Sequence, residues 1–268
     1  MKNKTAVFYM LYSAIATSLM VGTIKFLDDF SVYQIIFFRA TITLFFTFFL
    51  LKKFNIPVSG NNKKLLLLRA FLGVFSMTCF FYSIKYLDIG VSVTLRYTSP
   101  IFAAIFALFF LKEKIKLLQW FFYFIAFIGV MIIKGFTIEL SSVGIFFAMI
   151  SSLSLGLVFV VTRKIGTTEN HLVIINYFML MAFIFGGIFS IDQWKNPSLI
   201  EFVILISSGI FGFIGVFYMT KAFQNTETHK IAPLKYLEVI FTIFIGVLCF
   251  EEFYSYWTLL GIILIIIG

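Results

Sequence analysis

Leu95-Arg96-Tyr97-Thr98-Ser99-Pro100-Ile101-Phe102 returns 139 positions later as Leu234-Lys235-Tyr236-Leu237-Glu238-Val239-Ile240-Phe241. Each stretch sets a cation and a tyrosine inside an apolar run. A glutamate closes each run at the same distance, Glu113 and Glu252. Pairing Gly73–Gly129 with Gly212–Gly268 without gaps also matches Gly73, Leu95, Tyr97, Ile101, Phe102, Glu113, Ile128 and Gly129 with their counterparts. The echo predicts two copies of one unit. It also puts charge where an apolar solvent makes charge expensive, which in membrane proteins marks function.

The surrounding composition makes that solvent a bilayer. The chain is 61% hydrophobic and 12% charged, with a mean hydropathy of +1.05. A soluble domain carries roughly 25% charge. Runs of about 20 apolar residues match the ~30 Å hydrocarbon layer. Without water there, such segments must be helices that bond their own backbone. The alternation of a β-barrel is absent. Most of the 39 Phe are expected to face lipid or pack between helices, and Cys79 and Cys249 read as small buried hydrophobes. The first apolar run has no small-residue cleavage site behind it, so it reads as a span. The last reaches Gly268 without a basic tail, as a truncated chain would.

Ten helices are predicted, at about 6–26, 33–52, 65–86, 90–111, 117–134, 142–162, 171–191, 199–223, 231–250 and 255–268, with short polar breaks between them. Lys2, Lys4, Lys52, Lys53, Lys63, Lys64, Arg69, Lys112, Lys114, Lys116, Arg163, Lys164 and Lys230 fall in one set of loops; Lys25, Lys85, Lys134 and Lys195 fall in the other. Thirteen cations against four predict that both termini are cytoplasmic. The net charge of +9 lies mostly in these loops and does not point to nucleic acid. Residues 1–135 and 142–268 then form two units of five helices. Five is odd, so the second unit enters the membrane upside down, as inverted repeats of many transporters do.

These residues resemble the EamA family of the drug/metabolite transporter superfamily. The first half carries Leu68-Arg69-Ala70-Phe71-Leu72-Gly73, Phe81-Tyr82-Ser83-Ile84-Lys85-Tyr86-Leu87, Ser99-Pro100 and Leu111-Lys112-Glu113. The second carries Thr220-Lys221-Ala222-Phe223, Ala232-Pro233-Leu234-Lys235-Tyr236-Leu237-Glu238 and Phe250-Glu251-Glu252. The resemblance implies ten helices in two EamA repeats around a central cavity that opens alternately to each side, and movement of small metabolites across a bacterial cytoplasmic membrane. It adds Tyr82 to the substrate-binding candidates. The Lys235-Tyr236-Leu237-Glu238 segment also resembles S-adenosylmethionine carriers of the family; members of other specificity have related segments.

Arg39 lies too deep in the second helix to reach water easily along lipid. It faces a cavity, or it is a structural or snorkelling cation. Arg96-Tyr97 and Lys235-Tyr236 read as two cationic clusters for a carboxylate or phosphate, with tyrosines as donors or stacking faces. Their alternative is neutralisation of helix ends or of Glu238. Glu238 stands at i+3 from Lys235, as a salt-bridge partner or a proton-coupling carboxyl. Lys221 either snorkels or binds. Glu113 and Glu252 read as architectural, holding tight turns through local hydrogen bonds. Pro100 and Pro233 should kink or start their helices. Gly186, Gly187, Gly209, Gly212 and Gly215 read as close helix packing.

No Gly-rich phosphate loop precedes a lysine, His171 and His229 are far apart in sequence, and no hydrolase set is visible, so no enzyme, cofactor or metal is expected. The expected partners are a small-molecule metabolite and the bilayer, with the chain a monomer or weak homodimer. A secondary transporter, exporter or exchanger, is the first reading. A passive channel, an S-adenosylmethionine-type uptake carrier and a non-transporting scaffold remain as alternatives.

Overall fold

The computed structural model describes residues 2–113, 117–135, 141–251 and 255–267. Every regular element among them is helical: α1 Lys2–Lys25, α2 Val32–Lys53, α3 Lys63–Tyr86, α4 Ile89–Arg96, α5 Ser99–Phe106, α6 Leu117–Gly135, α7 Ser142–Ile165, α8 His171–Ser190, α9 Leu199–Asn225, α10 Thr228–Ile231, α11 Leu237–Phe250 and α12 Tyr256–Ile267. The starts follow local capping chemistry. Ser31, Asn62, Ser141 and Asn170 each accept a backbone N–H from the first turn they precede. Ser198 and Glu201 close a reciprocal capping box on α9.

Eight spans are long and apolar enough to cross a membrane among the described residues: Thr5–Lys25, Val32–Lys53, Lys63–Tyr86, Val91–Leu111, Ser142–Thr168, His171–Gln193, Leu199–Asn225 and Thr228–Phe250. The burial pattern is that of a bilayer protein. Phe45, Phe48, Phe109, Phe121 and Phe244 point outward, while Ser18, Thr43, Ser76, Ser151, Thr220 and Thr242 are buried. Interior hydroxyls bridge the helices. Ser13 donates to the Gly215 carbonyl at 2.9 Å, and Ser76 and Ser151 donate to each other's carbonyls at 2.8 Å. The chain is a multi-pass membrane protein.

Neighbour pairs recur across the two halves. α1 packs on α9, α3 on α7, α2 on α8, α4 on α11, and α6 on α12. Small residues set the close approaches: a Cβ on Gly186 would lie 2.8 Å from the Phe37 backbone nitrogen of α2.

Two of the expected spans are broken. The fourth is interrupted at Tyr97-Thr98, and Pro100 stands in the first turn of α5. The ninth starts with the single turn α10, inside the segment expected to be a loop. It continues as a 3₁₀ stretch, Ala232–Tyr236, with Pro233 in its first turn, before α11. Proline lacks the N–H an interior turn needs, so both prolines occupy helix starts. The tyrosines of the echo, Tyr97 and Tyr236, stand at the two breaks. At their far ends the two spans stop on left-handed residues 139 positions apart, Lys112 (φ 54°) and Glu251 (φ 51°).

Two expectations need correction and a third is widened. Arg69 is not a loop cation: it is the seventh residue of α3 and 1% exposed. Removing it leaves twelve cations against four, and the charge bias survives. Cys249 is exposed on α11 rather than buried; Cys79 is buried, and both thiols are free. Glu113 holds more than its own turn, where its N–H donates to the Ala107 carbonyl at 3.3 Å. It reaches across to α10 and α7, with Oε2 3.1 Å from His229 Nδ1 and Oε1 3.8 Å from Arg163 Nε, and accepts the Thr228 N–H at 3.4 Å. Glu252 lies outside the described residues.

Candidate functional site

The broken spans border a central cavity of about 60 Å³. Its wall takes Thr17 and Met20 from α1, Arg39 from α2, Arg69, Gly73, Ser76, Met77, Phe80 and Phe81 from α3, and Arg96 and Tyr97 at the first break. Leu155 and Val158 of α7, Phe178 of α8, Gly212, Gly215, Val216 and Met219 of α9, and Lys235 in the 3₁₀ stretch complete it.

Three guanidinium groups rest on aromatic faces. Arg96 lies 3.9 Å from the Phe80 ring centre, Arg69 4.5 Å from Phe178, and Arg39 5.7 Å from Phe81. Arg39 also donates to the Met77 sulfur at 2.9 Å, a weak acceptor. The rings attract the guanidinium groups by cation–π interaction, worth ~0.5–2 kcal/mol apiece. Arg39 Nε, Arg69 Nε and Nη1, and Arg96 Nε are buried without a hydrogen-bond partner. Lys235 differs. Its ammonium pairs with Glu238, the ion pair expected from their i+3 spacing, and both are buried. The second carboxylate oxygen of Glu238 has no partner. Ser18 of α1 ties the break in place by donating to the Glu238 carbonyl at 3.1 Å and accepting from Thr242 at 3.2 Å.

Two glycines matched by the repeat make room for these cations. A Cβ on Gly212 would lie 2.5 Å from Arg39 Nε. A Cβ on Gly73 would lie 3.0 Å from Arg69 Nη1 and 2.9 Å from the Phe178 ring. Gly212 thus clears a charged side chain as well as packing helices; Gly209 and Gly215 lie against Ile42 and Thr17.

The structure brings Arg39, Arg96, Tyr97 and Lys235 of the expected site together at one cavity. Tyr236 stands behind it, its ring edge-on to Tyr97 at 6.2 Å, and Glu238 reaches it through Lys235. Two candidates lie elsewhere. Tyr82 stacks on Phe147 at 5.2 Å and lines a separate, mostly apolar groove with Tyr33, Phe75 and Phe185. Lys221 lies over Phe217 at 4.6 Å and Tyr9 at 5.5 Å, partly exposed. Arg69 was missed because its position, six residues after Lys63, reads as the basic edge of a span. The signal was its partner Gly73, four residues on and repeated as Gly212.

Both ends of the bundle carry polar ties. At one, Gln34 donates to the Lys195 carbonyl at 2.6 Å, and Lys195 pairs with Glu201 at 3.0 Å and Asp29 at 3.4 Å. The Glu201 hydrogen bond holds the Lys195 ammonium above the ordinary lysine pKa. At the other, the Glu113–His229–Arg163 group is joined by Gln224, which donates to the Gly166 carbonyl at 2.6 Å and the Glu169 carbonyl at 2.8 Å. The Lys230 ammonium, bonded to Glu227, holds that carboxyl below its usual range.

A helical membrane protein with buried cations gathered between two broken spans has the build of a small-solute transport protein. The sequence carries this further: residues 4–135 and again 142–268 match the EamA-like transporter family, and the chain belongs to that family. The pseudopaline exporter CntI of Pseudomonas aeruginosa is 24% identical over 237 residues, covering 88% of this chain and 84% of that one. The S-adenosylmethionine uptake transporter of Rickettsia conorii is 25% identical over 239 residues, 87% and 80% of the two chains. Human solute carrier family 35 member G1 is 24% identical over 277 residues, 97% and 76%. A chain of known crystal structure shares the fold with a TM-score of 0.76 at 13% identity, covering 99% of this chain and 94% of its own. The family and these relatives are transporters, not enzymes.

Proposed function

We propose that the protein is a secondary transporter, an exporter or exchanger, that carries a small anionic metabolite across a bacterial cytoplasmic membrane by alternating access. Its substrate bears a carboxylate or phosphate or is amino-acid-like. The observation that carries this reading is the convergence of Arg39, Arg96 and Lys235 with Tyr97 on one cavity between two broken spans. Tyr236 and Glu238 stand behind Tyr97 and Lys235 as supporting groups. Lys221 and Tyr82, outside the cavity, would act as an end-of-helix cation and a groove residue.

The architecture is read as ten helices in two inverted five-helix repeats, residues 1–135 and 142–268, with both termini cytoplasmic. The packing pairs support this: exchanging the halves carries the α1–α9 contact onto α7–α3 and leaves α2–α8, α4–α11 and α6–α12 in place. The twelve-to-four cation bias supports the orientation. Under that orientation the Glu113–His229–Arg163 ties close the cytoplasmic end and the Lys195 ties the outer end. With both ends tied, the cavity is contracted: 60 Å³ is well below the ~300–1,000 Å³ of small-molecule sites.

Counterflow in proteoliposomes tests the reading. Saturable exchange of an anionic metabolite is the expected result. Non-saturable flux would make the protein a channel, and absence of flux for every anion tried would make it a scaffold.

A further inference from the structure

We infer that the transported species is a multivalent anion, a di- or tricarboxylate or a phosphate, rather than a monovalent or cationic metabolite; this rests on the anionic-substrate reading above. Four cations border the cavity, Arg39, Arg69, Arg96 and Lys235. One carboxylate, Glu238, is paired among them. The excess is three positive charges, and all three belong to arginines. A monovalent substrate leaves two buried guanidinium groups uncompensated, and an uncompensated buried ion is strongly unfavourable. A substrate with two or three anionic groups removes that cost as it enters.

The geometry agrees with the count. Each guanidinium has an aromatic ring against it, Phe81, Phe178 and Phe80, which takes no conventional hydrogen bond and leaves the N–H edges for recognition. Those edges hold the unpartnered nitrogens, two of them on Arg69. A guanidinium edge is a fork that fits carboxylate or phosphate oxygens two at a time. Lys235 does not add a fourth demand, because Glu238 already neutralises it. The same count opposes S-adenosylmethionine, whose sulfonium and ammonium outnumber its single carboxylate. It would add positive charge to a cavity already in excess.

The test uses the full chain purified in uncharged detergent at neutral pH. Its thermal unfolding midpoint is followed against sodium acetate, succinate, citrate and inorganic phosphate at matched ionic strength, and against S-adenosylmethionine. Binding to the folded state raises the midpoint by mass action. The expected result is stabilisation in the order citrate, then succinate and phosphate, with acetate inert. Apparent affinity should tighten about tenfold per added anionic group, the worth of one charge-assisted hydrogen bond. Arg69→Met should abolish the advantage of citrate over succinate, and Arg69→Lys, which keeps the charge but not the fork, should weaken both while preserving their order. If Arg69→Met does not fold, the wild-type series and Arg69→Lys decide. Acetate stabilising as well as citrate would overturn the multivalent assignment and leave an anion cavity standing. Stabilisation by S-adenosylmethionine alone, or by none of the anions, would overturn the anionic reading itself.

Discussion

Residues 89–111 and 228–250 are the same piece of chain used twice, and they have kept different things. The backbone has kept its plan. Each piece has a short helical entry, a break at a tyrosine, a proline near the break, a second helical stretch and a left-handed stop, at Lys112 and at Glu251. The chemistry has diverged. In the first piece Arg96 lies over Phe80 and makes no salt bridge of its own among the described residues, and the break is fastened by Thr98, which bonds the Leu95 carbonyl at 2.9 Å and the Ser152 hydroxyl at 2.5 Å. In the second, Leu237 replaces Thr98 and Glu238 replaces Ser99, so the cation of the break is neutralised on the spot. Duplication conserved the geometry that opens a helix to the cavity. It left one cation without a salt bridge and tied the other to a carboxylate.

The largest effect that could break this contrast is at Glu238. Removing one partner of a buried ion pair leaves the other charge stranded, at ~3–5 kcal/mol. Glu238→Gln is therefore expected to lower unfolding stability in detergent by that order. Replacing both partners, Lys235→Met with Glu238→Leu, should recover most of the loss, since an apolar pair of similar volume carries no desolvation cost. If Glu238→Gln unfolds like the wild type, the second cation is not held by its carboxylate and the contrast between the copies dissolves.

The paired glycines give an intermediate effect. Gly212→Ala drives a methyl group into the middle of the Arg39 side chain, where the neighbour cannot swing aside, and should cost ~1–3 kcal/mol with a fall in transport. Gly187→Ala is the comparison. Its methyl group would meet only the Phe37 ring, at 3.4 Å, and a helical Gly→Ala exchange is worth roughly 0.5–1 kcal/mol in its favour. Unfolding midpoints of the two variants should therefore move in opposite directions. Equal shifts would mean that Gly212 is packing alone and not clearance for a cation.

How much of this was legible beforehand follows from what each signal measures. Span limits come from hydropathy, which reports the solvent, so the eight spans found among the described residues appear at eight of the ten expected apolar runs. The breaks were half legible: Pro100 and Pro233 marked them, but nothing in the 225–230 stretch distinguished a loop from the single turn α10. Depth along a helix is what sequence reports poorly. Arg69 sits near the end of its run and looked like a headgroup cation, whereas tertiary packing buries it against Phe178. Tyr82 and Lys221 lie away from the central cavity, because a motif gives position along a helix but not the face it turns. Glu113 was read from its own turn alone. Its partners, His229 and Arg163, come from another part of the chain, and no local spacing encodes that.

Arg96→Met is expected to disturb stability least, and so it discriminates best. The variant loses a cation–π contact worth ~0.5–2 kcal/mol, but also removes a buried cation that makes no direct salt bridge, so the two changes offset. Unfolding stability should stay within about 1 kcal/mol of wild type or rise, because no partner is left stranded. Transport should fall about tenfold or more, the loss of one charged hydrogen bond to substrate at ~1.5–3 kcal/mol. Counterflow rates normalised to folded protein, set beside unfolding midpoints, separate the two quantities. An Arg96→Met variant that unfolds as easily as Glu238→Gln, with flux falling only in proportion to folded protein, would make Arg96 a structural cation. The two copies would then differ in how they hold their charge but not in which of them binds. The opposite pattern, stable protein with slow flux, places substrate recognition at the first break and structural neutralisation at the second.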